Sequence, residues 1–216
     1  MSKNLPESIR NQIKNLDSIE TMRILLNSDF AQSESQFKPG KVIDPYNKLD
    51  FGPGNYSYQL TAGYGDVYSE QFQPYYTPQE MLTIGVFEGK YLNDCLLEFP
   101  REWFINALKA RNLSPGQPDV SCNYFQIKSR MSRQDWIRNG WIPIIPGDPD
   151  NRGWFQWYCR YYIGRRIPEL DEKQIKRWRA FKRHFGQVKK NCEQAVESCR
   201  PKQRQALLQW SYNAFI

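Results

Sequence analysis

Apolar residues along the chain recur mostly at three- and four-residue steps, and sustained alternation is nearly absent, so the pattern predicts helices rather than strands. Near the amino end, Ile9, Ile13 and Leu16 follow Pro6 at helical spacing, with the proline placed for a first turn. A second short helix is predicted over Ile19, Met22, Leu25 and Leu26, with Asp17 or Ser18 as its cap and an end near Asn27. Thr77-Pro78-Gln79-Glu80 combines a capping hydroxyl, a proline at the first helical position and a glutamate at the third. The apolar run that follows, Met81 to Phe87, enters the core and is expected to stop near Gly89. Pro100 to Arg111 carries Trp103, Phe104, Ala107 and Leu108 on one stripe, and Ser132 is placed to cap a short helix through Trp136 that stops at Gly140. Val120 to Ile127 is the best candidate strand, although its alternation is imperfect.

Three further helices are predicted toward the carboxyl end: about Asp150 to Ile163, with Asp150 as cap and Gly164 as terminator, about Glu169 to Asn191, and Pro201 to Ala214. In the middle one Ile175, Trp178, Phe181, Phe185, Val188 and Cys192 share a stripe, and the other faces are dense in Lys and Arg. The expected fold is mainly α: a single helical domain with an irregular Tyr/Gly/Pro-rich N-terminal arm and little strand. Residues 1–50 read as a helical arm and linker, 51–76 as an extended segment, and 77–216 as the helical domain with a basic C-terminal half.

The extended segment, FGPGNYSYQLTAGYGDVYSEQFQPYY, interleaves eight aromatic residues with Gly, Pro and Gln, which few helices tolerate. Its tyrosines are expected to lie along a larger surface. Neither of its glycine clusters is followed by Lys-Ser or Lys-Thr, so a phosphate loop is not indicated. WIPIIPGDPDNRG, later in the chain, is too rich in proline for regular structure. No run of about 18 apolar residues exists to cross a membrane, and the amino end lacks the apolar core of a signal peptide. An intracellular protein is the resulting expectation, in cytoplasm or nucleus or associated with a virion.

Charge changes the picture more than length does. Among 216 residues there are 30 Lys and Arg against 23 acids, and their placement is uneven. Residues 1–120 hold 11 basic and 15 acidic side chains, whereas residues 121–216 hold 19 and 8. Fifteen basic and five acidic residues fall between Arg152 and Arg204. Such a stretch attracts phosphate backbones through counterion release. The leading expectation is therefore nucleic-acid binding without sequence specificity. Arg165, Arg166, Lys176, Arg177, Arg179, Lys182, Arg183, Arg200, Lys202 and Arg204 would serve as phosphate contacts, and Trp154 and Tyr158 as stacking platforms for bases. No helix-turn-helix or zinc-finger spacing surrounds these residues.

Other chemistry finds thinner support. Asp148 and Asp150, beside Arg152 and just before an aromatic helix, could activate water, and His184, the single histidine, could act as a general base. The plainer reading makes Asp150 a helix cap, Asp148 a turn residue and His184 a packing contact. Five cysteines do not suggest a secreted disulfide framework, so reduced thiols are expected. Cys159, His184, Cys192 and Cys199 have the count and types of a structural zinc site, though not its usual spacing. No motif calls for a cofactor. An alternative to nucleic-acid binding is an assembly component that packs on a protein partner through residues 1–76.

GWFQWYCRYYIGRR, then QIKRW, KKNC and CRPKQRQALLQW, resembles a set of uncharacterised proteins scattered among microbes, algae and large DNA viruses. The resemblance covers roughly residues 77–212 and implies no activity or site residue. The first 76 residues lie outside it.

Overall fold

In the computed structural model, the described residues are 5–44, 56–128, 133–139, 150, 152–194 and 196–216. Among them are eight α-helices and one two-stranded sheet, a mainly helical fold. The helices are α1 (Glu7–Lys14), α2 (Ile19–Leu26), α3 (Pro78–Ile84), α4 (Arg101–Lys109), α5 (Arg133–Arg138), α6 (Trp154–Tyr162), α7 (Pro168–Asn191) and α8 (Pro201–Gln209).

Helix starts follow the side-chain chemistry of the sequence. Ser18 Oγ accepts the Thr21 N–H at the start of α2. Thr77 and Glu80 form the reciprocal capping box of α3, with Pro78 inside its first turn. Two expectations fail locally. Val120–Ile127 is not a strand: Asp119 accepts the Ser121 N–H and turns Val120–Cys122 into a 3₁₀ turn. The only paired strands among the described residues are β1 (Val42–Ile43) and β2 (Tyr58–Gln59), antiparallel, with Ile43 opposite Tyr58. The last helix ends at Gln209 rather than near Ala214, because Ser211 takes a positive φ of 54° and Tyr212 N turns back to Leu207 O.

α6 lies at the centre. Trp157, Tyr158 and Cys159 have essentially no exposure, and Phe72 from the irregular segment inserts edge-on among Trp157, Tyr158, Tyr161 and Trp178 at centroid distances of 5.0–5.9 Å. From residue 56 on, the Tyr/Gly/Pro-rich segment thus sends Tyr58, Leu60, Val67, Phe72 and Tyr76 into the core, while Tyr68 and Tyr75 remain on its outside as expected. Thr61 and Ala62 donate to Gly164 O, and Gly65 donates to Tyr162 O, so the segment is clamped across the end of α6. Gly164, at φ 113°, permits this approach, since a Cβ there would strike Ala62 O. Met22, Leu25 and Leu26 of α2 join the same buried cluster as Trp103 of α4 and Leu207 of α8. Residues from both ends of the chain therefore share one core.

Candidate nucleic-acid interface

α7 is the longest helix, 24 residues, and the sequence encodes it at both ends. Pro168 sits at its first position, Asp171 Oδ2 accepts the Ile167 N–H, and Lys189 and Lys190 occupy the last turn, where the helix dipole favours cations. Trp178 and Val188 are buried, with Ile175, Phe181 and Phe185 half-buried beside them. Tyr212 stacks on Trp178 at 4.9 Å and its hydroxyl donates to Trp178 O. Trp178 Nε1 in turn donates to Trp210 O, so the helix is pinned along one edge.

The opposite side is cationic and free of acids over most of its length. From Lys173 to Asn191 the sequence holds no acid. Lys173, Lys176, Arg179, Lys182, Arg183, Lys189 and Lys190 are all exposed. Among the described residues none of the seven forms an ion pair. Lys176, Arg183 and Lys190 recur every seven residues, which aligns them within about 40° of one another along a ridge roughly 21 Å long. Gln203 of α8 donates to Gln187 of α7, and Arg200 and Lys202, its neighbours in sequence, are exposed.

Four of the other expected contacts lie inside the molecule. Arg165 is 1% exposed and makes a two-pronged pair with Asp150, Nη2 to Oδ2 at 2.6 Å and Nη1 to Oδ1 at 2.9 Å. Arg204 has no exposure; its guanidinium donates to the carbonyls of Val196, Cys199, Ala214 and Ile216, tying the loop before α8 to the end of the described chain. Trp154 and Tyr158 are buried and stack on each other at 5.1 Å. None of these four can meet a phosphate or a base. Arg166 is half-buried, lies 3.7 Å over the Tyr161 ring and donates to Tyr161 O, Arg165 O and Asp66 O. Arg177 packs over Trp210 and donates to Gln174, and burial lowers its pKa.

The buried pairs belong to a larger network that sequence spacing could not foretell. Arg160, with no exposure, donates to both oxygens of Glu98 at 2.6 and 3.1 Å and to Asp150 at 3.1 Å, and Tyr58 OH adds a 2.7 Å bond to Glu98. Burial opposes the Arg160 charge, but Glu98 and Asp150 outweigh it and raise its pKa. Asp150 is therefore a buried counter-ion and not the cap of α6, whose N-cap is Gly153. Held between Arg160 and Arg165, its carboxylate is not placed to activate water for a substrate. Asp148 lies outside the described residues. His184 packs against Phe181 at 4.4 Å, and burial, then Arg183, lowers its pKa.

The cysteine expectations also change. Cys192 and Cys199 form a disulfide that closes the loop between α7 and α8, so these two are not reduced thiols. Cys159 is enclosed in α6, where burial pushes its thiol pKa up, which leaves it a poor nucleophile or ligand. Cys159, His184, Cys192 and Cys199 are consequently not assembled as a metal site, and no group of metal-binding side chains occurs among the described residues. No helix of the described residues is long and apolar enough to cross a membrane.

One aromatic feature escaped the sequence pattern. Half-buried Trp210 stacks on Phe181 at 4.8 Å and on Trp154 at 5.0 Å, forming a column that runs from His184 and Phe181 at the edge of α7 inward to Tyr158. Trp210 lies just past α8, so no helical period of α7 could have linked it to Phe181.

Comparison with known proteins finds no matching family model, no matching curated protein and no matching solved structure.

Proposed function

We propose that the protein binds nucleic acid through its phosphate backbone, with Lys176, Arg179, Lys182 and Arg183 of α7 and Arg200 and Lys202 at the start of α8 as the contacting cations. The observation that carries this reading is the acid-free ridge of α7, whose exposed cations have no ion-pair partner among the described residues. A surface of that kind gains affinity by displacing condensed counterions, and it carries no base-reading geometry. Phe181 and His184, at the outer end of the aromatic column, replace Trp154 and Tyr158 as the rings on which an unpaired base would stack.

The test is fluorescence anisotropy with labelled single- and double-stranded DNA and RNA across a salt series. Replacing Lys176, Arg179, Lys182 and Arg183 together with Ala should weaken binding at least about tenfold near 0.1 M salt and reduce the salt slope by up to about 4. Thermal stability should move by no more than about 1 kcal/mol, because these side chains are exposed. Unchanged affinity and slope would remove the proposal.

A further inference from the structure

The five cysteines are of two kinds. Cys95, Cys122 and Cys159 are buried free thiols, enclosed by the core. Cys192 and Cys199 are only half-buried, so their disulfide lies within reach of a reagent in solution. The loop that it closes contributes little to the core, since residues 193, 194 and 196–198 are all exposed. Opening the bridge therefore leaves Trp178 and Val188 of α7 and Leu207 and Leu208 of α8 in their buried places.

What the bridge fixes is the end of the cationic ridge. Cys192 is the C-cap of α7, directly after Lys189 and Lys190 of the last turn and Asn191. The Cα atoms of the two cysteines are 5.8 Å apart, so Arg200, the next residue along, has its Cα within about 10 Å of that helix end. Arg200 is exposed and has a φ of 56°, in the left-handed region, which an arginine adopts only where its surroundings hold it. The loop also carries Glu193 and Glu197, the only acids in the sequence after Glu172. Glu197 accepts from Tyr124 OH at 3.3 Å, and neither acid forms an ion pair among the described residues.

We infer that the Cys192–Cys199 bridge is a redox switch on the polyanion-binding face, closed in the binding form and opened by a dithiol reductant. Its consequence for binding rests on the nucleic-acid reading above. A thiolate of the dithiol attacks one bridge sulfur, the S–S bond breaks and a mixed disulfide forms; the second thiolate of the dithiol then displaces that cysteine. The bridge gains two electrons and two protons to become two thiols, and the dithiol loses the same in closing to its own disulfide. With the loop open, Arg200 is no longer tied to the end of α7, and Glu197 is free to move toward the cations beside it. Lys176, Arg179, Lys182 and Arg183 stay in place on α7, so binding weakens without being abolished.

The experiment equilibrates the full chain with dithiothreitol at graded ratios of its reduced and oxidised forms. Two readouts follow: intact mass after labelling with excess maleimide under native conditions, and anisotropy with labelled DNA and RNA across a salt series. Two labels per chain are expected in the reduced form and none in the oxidised form, with the melting transition retained. On reduction, affinity near 0.1 M salt should fall about threefold or more and the salt slope should drop by about 1, and both should return on reoxidation. The double variant Cys192→Ser, Cys199→Ser should bind as the reduced chain does at every ratio. Binding that ignores the ratio, a double variant that binds as the oxidised chain does, or labelling of none or all of the cysteines would overturn the switch and leave the nucleic-acid reading standing. Absence of binding at every ratio would remove both.

Discussion

Arg160 and Arg183 are the same residue type, 23 positions apart in one cationic stretch of sequence, yet they do opposite things. Arg160 sits at the centre of the molecule with its charge matched by Glu98 and Asp150. Arg183 stands on the outer face of α7, where no acid pairs with it among the described residues. Net charge therefore overstates the surface available to a polyanion: Arg160, Arg165 and Arg204 contribute to the positive count of the C-terminal half but are enclosed by acids or carbonyls. The cations left outside among the described residues of that half are seven of α7, with Arg200 and Lys202 at the start of α8, Lys128, and Arg138, which pairs with Asp135.

This contrast can be broken from the inside first. Arg160→Met should be the most damaging of the substitutions considered, costing about 3–5 kcal/mol, because it strands the buried Glu98 carboxylate. Adding Glu98→Leu should recover a large part of the loss, as a double-mutant cycle in chemical denaturation would show. If Arg160→Met unfolds no more readily than the four-residue Ala variant of α7, the division between inner and outer cations is wrong. Arg204→Gln should cost less, about 2–3 kcal/mol, since the carbonyls it releases are neutral and the chain end can partly rehydrate. Its measurable sign is faster proteolysis or hydrogen exchange confined to residues near 196–216 before global unfolding.

The smallest expected effect belongs to the outer edge and to pH. Burial and Arg183 hold the His184 pKa below the ordinary value of 6.5. As pH falls through about 6.5, the unfolded chain therefore binds a proton that the folded chain resists, and stability declines; above that pH the contribution is complete. His184→Gln should flatten this decline slightly between about pH 7 and 5 without changing the melting temperature at neutral pH. A variant whose acid limb matches that of the unsubstituted chain would show that His184 is fully solvated and not held against Phe181.

Local signals in the sequence were read well where one residue acts on its own turn. Ser18 and the Thr77–Glu80 box with its Pro78 each mark the start of an observed helix, because a cap or a proline works within four residues and needs no tertiary partner. Asp150 misled for the same reason. Its spacing from an aromatic helix is that of a cap, but Arg160 within that helix and Arg165 just past its end bind it more strongly than free backbone N–H groups would. The aromatic helix α6 was legible as helical, yet which of its rings would face water was not. Phe72 and Trp210, from segments on either side of it in sequence, cover Trp154, Trp157 and Tyr158.

What the sequence determined by itself is the helical class of the protein, the starts of α2, α3, α7 and α8 and the one-sided cationic pattern of α7, all of which follow from periodicity and neighbouring side chains. Only the tertiary structure decided which arginines are counter-ions and which are surface. It also decided that Cys192 meets Cys199. Those outcomes depend on residues brought together from far apart in sequence, as in the pairing of Arg160 with Glu98, 62 positions away. Burial changes the free energy of a charge by more than any local preference does, so the fold sets the role of each cation.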